Sequence, residues 1–237
     1  MKITQFEVLD STNSYIKRNY EKLDHFEVIS TNHQTEGKGR LGRIWLDDGD
    51  SLLFSILIKN DIKMENISQL PLVVAMVIHD TLYPYIPDLL IKWPNDLVVH
   101  DKKLCGILIE SISSHQEIHA VVVGIGINLS TQLFPESIKE TATSFFLETN
   151  QSISSSLLIE EITSKLKIEL KYLNQNKSQF VSYSKKHSFL LGKKISFIKD
   201  SKIMHGIAQD IKANGNLLVK TSHEQIEIST GEVHLIK

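Results

Sequence analysis

Hydrophobic and polar positions change their spacing several times along the chain, and each change marks an element. Residues 3–9 read as a strand, and Asp10-Ser11-Thr12 offers an N-cap for a helix running to about Leu23. Residues 26–32 form a second expected strand that runs into a glycine loop at 34–43. The near-continuous apolar run 52–58 predicts a buried strand. Ser68 caps a helix with Pro71 in its first turn, where a missing N–H is harmless, and Leu72, Val73, Met76 and Val77 carry it to about Tyr83. Strands follow at 89–92, 97–99, 104–110 and 118–128. Turns separate them, not helices, so this part of the sheet is expected to be antiparallel. Leu158, Ile162, Leu166 and Leu173 mark one face of a helix over about 156–174, entered through the serine-rich stretch 152–156. Beyond Leu190 the pattern becomes short strands at 195–198, 203–211, 217–221 and 225–228, with a hairpin signal at Asn214-Gly215. Such closely spaced strands predict a small barrel appended to the main domain, with the division at 1–189 and 190–237.

Composition narrows the class. At 237 residues, 41% hydrophobic and 23% charged, the chain is long enough to bury a core without disulfides or metal. The single cysteine, Cys105, excludes an internal disulfide framework. It sits in an apolar strand with no activating pattern, which favours a packed thiol over a nucleophile. A net charge of −2 gives no basic footprint for coating nucleic acid. No apolar run is long enough for a membrane span, and the N-terminus has no apolar signal core, so no membrane association and a cytoplasmic location are expected.

The rare residues carry the chemistry. Of 26 basic residues only Arg18, Arg40 and Arg43 are arginine, and two of these share one loop. That loop, Gln34 to Trp45, contains Gly37-x-Gly39-x-x-Gly42, which matches the dinucleotide fingerprint in letters. However, a turn at 47–50 and then a strand follow it, where that fingerprint requires a helix. It is not a Walker A loop either, since Gly-Lys-[Ser/Thr] is absent. Two readings remain: a flexible loop whose Lys38, Arg40 and Arg43 neutralise phosphate, or a solvated basic turn. Lys92-Trp93-Pro94-Asn95-Asp96 is either a self-satisfied turn or a polar cluster at a strand junction. Gly106, in the strand that Lys103 enters, lets something lie close to the sheet, and the glycine-interrupted strand Gly124-Ile125-Gly126-Ile127-Asn128 suggests close packing of a flat group or another backbone. His115 and His119 flank an expected strand turn and do not match a zinc-protease spacing, so no metal role is expected of them.

Taken together and in order, these clusters resemble biotin protein ligases. The resemblance adds Ser11-Thr12-Asn13, Ala142-Thr143-Ser144 and a tail through Gly231-Glu232-Val233 similar to that family's SH3-like C-terminal domain. The loop departs from the usual Gly-Arg-Gly-Arg by carrying Lys38. The resemblance implies an α+β fold, a mixed, largely antiparallel sheet with helices like class II aminoacyl-tRNA synthetases, plus the small barrel. It implies ATP-dependent activation of biotin to biotinyl-5′-AMP, then transfer to a lysine of a biotin carboxyl carrier protein of acetyl-CoA carboxylase or a related carboxylase. It implies Ser11, Thr12, Asn13 and Gln34 on the ureido ring, and Lys38, Gly39 and Arg40 on the tail. Lys103 is expected at the carboxylate and α-phosphate beside Gly106, with Arg40 as its catalytic partner. Arg43, Trp45, Lys92 and Asn95 are expected on ATP, Asn128 at adenine, and Asp96 near a Mg²⁺ that accompanies the nucleotide. With nine residues before Asp10, no helix-turn-helix and no specific DNA binding are expected, while monomer and homodimer stay open. Lipoate ligase or octanoyltransferase, and a non-catalytic nucleotide- or nucleic-acid-binding module, are the competing readings.

Overall fold

The computed structural model describes all residues except 48, 60–62, 115, 116, 200, 201 and 237. Seven strands form the main sheet: β1 (Ile3–Leu9), β2 (Val28–Gln34), β3 (Ser51–Lys59), β4 (Leu90–Lys92), β5 (Asp96–Val99), β6 (Lys102–Ser114) and β7 (Glu117–Asn128). Their order is β1-β2-β3-β7-β6-β5-β4. Only β1 and β2 run parallel, because helix α1 (Thr12–Asn19) connects them; every other pair is antiparallel, joined by turns or hairpins or paired across the sheet. The sheet is therefore mixed and largely antiparallel, as the resemblance implies, and antiparallel from β4 to β7, as the turns between those strands predict.

The helices α2 (Leu70–Leu82), α3 (Phe145–Thr149), α4 (Ser155–Asn174) and α5 (Phe180–Lys186) complete the domain. Eleven residues of α2 are buried, so it is a core helix and not an amphipathic one. Two expected boundaries shift. The first helix stops at Asn19, where Lys22 N–H bonds Asn19 O and closes a turn that folds buried Leu23 under the sheet. The second begins after a 3-10 stretch, Met64–Gln69. Ser68 thus lies inside that stretch, Gln69 takes the cap position, and Pro71 keeps its place in the first turn. The short helices α3 and α5 escape sequence patterning because they are too brief to show a period.

The tail forms a second antiparallel sheet from β8 (Lys194–Lys199), β9 (Lys202–Ile211), β10 (Leu217–Lys220), β11 (Gln225–Ile228) and β12 (Val233–Leu235), in the order β11-β10-β9-β8-β12. β12 is too short for its pattern to be read. The Asn214-Gly215 signal sits in the β9–β10 connection, where Gly215 takes φ +85° and Lys212 N–H closes the loop onto Asn216 O at 2.8 Å. This sheet does not stand apart. Phe197, Ala208, Ile211, Leu217 and Val219 join the same buried cluster as α2, α4 and the main sheet. Buried Trp93 donates its indole N–H to Gly215 O at 2.9 Å. No described helix is long and apolar enough to cross a membrane.

Candidate active site

The site is built where α1 begins, against the middle of the main sheet. Ser11 caps α1 in an extended conformation and accepts from Ser14 N–H. The next two residues, Thr12 and Asn13, are thereby turned inward and are 4% and 3% exposed. Gln34, the last residue of β2, accepts the Thr12 N–H at 2.8 Å and lies 3.2 Å from its hydroxyl. Fully buried Ser55 on β3 sits 2.6 Å from both Thr12 Oγ1 and Asn13 Oδ1. Asn13 Nδ2 donates to Glu110 Oε2 at 2.8 Å, and Lys17 pairs with Glu110 Oε1 at 2.8 Å.

Glycines make this approach feasible. A Cβ at Gly124 would fall 2.3 Å from Asn13 Oδ1. Gly106 and Gly126 are direct partners across β6 and β7, and the Trp45 indole lies over both. An added Cβ would meet its ring at 2.8 Å in either position. The flat group expected over the glycine-interrupted strand is thus the chain's own indole, with the Asn13 amide beside it. Trp45 Nε1 is buried without a protein partner, a donor left available to a ligand.

The rim is cationic. Lys103 Nζ lies 2.8 Å from Asp96 Oδ1 and 5.4 Å from the Trp45 ring centroid. The glycine loop folds as a small hairpin: Gly39 N–H bonds Arg43 O at 2.8 Å, and Trp45 N–H bonds Gly37 O at 3.0 Å. Leu41 (φ +56°) and Gly42 (φ +76°) turn its tip. Arg40 donates to Asn95 Oδ1 at 2.6 Å, and to Thr230 Oγ1 and Gly231 O at 3.2 Å each. Arg43 pairs with Glu232. Burial lowers the affinity of Arg40 and Lys92 for their protons, opposed by the nearby Asp96 carboxylate. For Arg40 this leaves the charge intact, since guanidinium does not deprotonate in proteins.

Eleven of the expected residues therefore meet around one cleft of about 460 Å³: Ser11, Thr12, Asn13, Gln34, Lys38, Gly39, Arg40, Trp45, Asn95, Lys103 and Gly106. A second cleft of about 650 Å³ adjoins it, sharing Arg40, Trp45, Asn95 and Lys103 and adding Arg43, Lys92 and Asp96. Asn128 lines neither. It is 6% exposed, and its amide donates to Lys103 O and Thr143 O, which holds the 142–143 segment against β6. Cys105 is fully buried, and burial pushes its thiol far up, so it is a packing group. His119 bonds Ser114; His115 lies outside the described residues, so the expectation for the pair has no structural counterpart.

The sequence assigns no site role to Ser55 or Glu110, and Gly231-Glu232 enters only through the resemblance of the tail, with no contact to the glycine loop expected. Ser55 had a signal, a lone hydroxyl inside the apolar run 52–58, whereas a contact between residue 40 and residue 230 has none.

Comparison with known proteins agrees with this architecture. The biotin/lipoate A/B protein ligase family model matches residues 5–128, and the biotin protein ligase C-terminal domain model matches residues 190–235. The bifunctional ligase/repressor BirA of Bacillus spizizenii is 31% identical over 139 residues, 57% of this chain and 43% of the relative. The biotin--[acetyl-CoA-carboxylase] ligase of Mycobacterium tuberculosis is 26% identical over 217 residues, 87% of this chain and 77% of the relative. Biotin protein ligase from Aquifex aeolicus, solved in complex with biotin and ATP, is similar at TM-score 0.86 and 27% identity, covering 100% of this chain and 99% of that one. The chain thus spans under half the length of the Bacillus relative and nearly all of the Aquifex structure. With the first model matching more than half of the chain and the second matching its tail, the chain belongs to the biotin/lipoate A/B protein ligase family, among the biotin protein ligases.

Proposed function

We propose that this protein joins biotin to ATP, releasing pyrophosphate and forming biotinyl-5′-AMP, and then transfers the biotinyl group to a lysine amine of a carboxylase carrier domain, releasing AMP. One observation carries this reading: a polar, buried inner cleft opens onto a cationic one, with Lys103 at the junction. A small molecule recognised by the Thr12–Asn13–Gln34 end would place its far terminus beside Lys103 Nζ.

Two anions must approach in the first step, the carboxylate and the α-phosphate. Their repulsion needs preorganised cations. Lys103 supplies one charge at the junction, Arg40 a second, and Arg43 and Lys92 face the neighbouring cleft, where the departing pyrophosphate would sit. The carboxylate oxygen attacks the α-phosphorus, and the bond from that phosphorus to the bridging oxygen breaks. The carrier amine then attacks the acyl carbon, loses its proton, and AMP leaves. The Trp45 indole over the glycine shelf keeps water from the mixed anhydride.

Mg²⁺ would enter on the nucleotide's phosphates. Such an ion is held mainly by substrate oxygens and waters, and Asp96, which lines the second cleft, is the carboxylate assigned to it here.

We assign Ser11, Thr12 and Gln34 to the ureido ring, with Asn13 behind them holding Thr12 through Ser55, Lys38 and Gly39 to the tail, and Asn95 to positioning Arg40. Domains at 1–189 and 190–237, a cytoplasmic location and no specific DNA binding complete the proposal; the net charge of −2 supports the last. Lipoate ligation is the alternative within the same family. Titration calorimetry with biotin and with lipoate separates the two: heat with biotin alone supports this reading, and heat with lipoate alone overturns it.

A further inference from the structure

We infer that Glu110 is a positioning residue that fixes the hydrogen-bond polarity of the inner cleft, through Asn13 and Ser55, so that it accepts a urea N–H at Thr12 and donates to a urea oxygen from Gln34. This rests on the biotin reading above and names residues that reading leaves unassigned.

Glu110 accepts from Lys17 on one oxygen and from Asn13 on the other, both at 2.8 Å. Burial raises its affinity for a proton, but these hydrogen bonds outweigh burial and hold it below the ordinary carboxylate range. An ionised carboxylate only accepts. The Asn13 atom facing it is therefore the amide nitrogen, and the amide oxygen faces Ser55. Ser55 has one proton and lies 2.6 Å from two oxygens, Asn13 Oδ1 and Thr12 Oγ1. An amide oxygen cannot donate, so the Ser55 proton goes to Asn13. The Thr12 proton then goes to Ser55 Oγ at 2.6 Å or to Gln34 Oε1 at 3.2 Å. Either way it stays inside the network, and Thr12 Oγ1 presents a lone pair to the cleft.

Gln34 is set by the same logic. Its Oε1 accepts the Thr12 N–H at 2.8 Å, which directs its Nε2 the other way, where no described residue accepts from it. The cleft thus shows one acceptor and one donor side by side, the complement of a cyclic urea. Nothing at Glu110 touches the ligand; it acts only by choosing which way Asn13 points.

Replacing the carboxylate reverses the chain. In Glu110→Gln the new amide gives its oxygen to Lys17 and its nitrogen to Asn13. Asn13 turns over and donates to Ser55, Ser55 donates to one lone pair of Thr12, and the Thr12 proton, displaced from Ser55, turns toward the cleft in place of the lone pair shown there. The KM for biotin should rise about 10–100-fold, the cost of one unmatched buried hydrogen bond. The KM for ATP should stay unchanged and kcat should fall little. Exchanging the groups, Asn13→Asp with Glu110→Gln, restores the polarity: the amide introduced on β6 donates to the carboxylate introduced on α1, and that carboxylate accepts from Ser55. The double variant should recover most of the biotin KM, although Asn13→Asp alone sets two carboxylates face to face and should be worse than wild type.

The test is pyrophosphate-release kinetics on all four proteins, with thermal melts to check folding. A merely structural role would lower kcat and stability in both single variants, and the exchange would not rescue them. Wild-type KM in Glu110→Gln, or a double variant no better than Glu110→Gln, overturns the inference. Wild-type protein that fails to bind biotin in calorimetry overturns instead the function on which it rests.

Discussion

Gly126→Ala adds one methyl group to a strand that can accept it, at the point where the site cannot. The new Cβ would lie 2.8 Å from Trp45 Cζ2 and 2.9 Å from Cε2. Carbon pairs settle at about 3.5–4.0 Å, so the indole must lift by about 1 Å. Lys103 Nζ packs over the same ring, so the displacement reaches the cation at the junction of the two clefts. The backbone itself gains: alanine in a strand interior is favoured over glycine by about 0.5–1 kcal/mol, which offsets the local crowding. The melting temperature should therefore hold. A misplacement of this size at a reacting centre costs about 10²-fold, and kcat/KM for biotin should fall by that order. Pyrophosphate release measures the rate, and tryptophan emission reports the indole. A variant with kcat/KM within about threefold of wild type and unchanged emission would refute the role given to the glycine shelf.

Lys103→Ala should lower the rate of adenylate formation by about 10²–10³-fold with little change in the melt, because a preorganised charge beside the developing transition state is lost; pyrophosphate release at the wild-type rate would remove Lys103 from the chemistry. Trp93→Phe deletes the buried N–H that bonds Gly215 O and should cost about 1–3 kcal/mol of stability by urea denaturation, since the carbonyl is left unpaired. The third expectation concerns pH. His79 is fully buried; its Nε2–H donates to Leu89 O at 2.8 Å and its Nδ1 accepts from Tyr183 Oη at 3.0 Å. Burial holds its pKa down at about 4, against 6.5 in the unfolded chain. Below pH 6.5 the unfolded state binds the extra proton, so stability is lost as pH falls from 6.5 toward 4. Between pH 7.5 and 5 the loss from this group is about 2 kcal/mol. Denaturation midpoints at the two pH values check this, and His79→Gln should flatten the difference.

Much of the site was legible because its residues are rare types in short runs. Ser11-Thr12-Asn13, the glycine loop and Lys92–Asp96 each occupy one turn or strand junction, so sequence neighbours remain spatial neighbours. The glycines at 106, 124 and 126 also announced themselves, since little else explains three of them in buried strands. What stayed hidden depends on the third dimension. Glu110 looks like one more strand carboxylate until the sheet brings it to Asn13, 97 positions away. The clasp of Arg40 and Arg43 onto Thr230, Gly231 and Glu232 joins segments about 190 residues apart. Nothing in the sequence of the tail points to the glycine loop, yet its last turn holds both loop arginines and lines the second cleft. The resemblance places Asn128 at adenine; in the structure its amide nitrogen goes to two backbone carbonyls and it lines neither cleft.

The central claim is that the two joined clefts activate biotin and pass it to a protein lysine. Intact-mass spectrometry of a biotin carboxyl carrier domain, after incubation with the protein, biotin, ATP and Mg²⁺, tests it most directly. The account predicts a carrier heavier by one biotinyl group, at one lysine, only when ATP is present, and largely lost with Lys103→Ala. A carrier left unmodified by folded, biotin-saturated wild-type protein, or one modified equally well by Lys103→Ala, would contradict it.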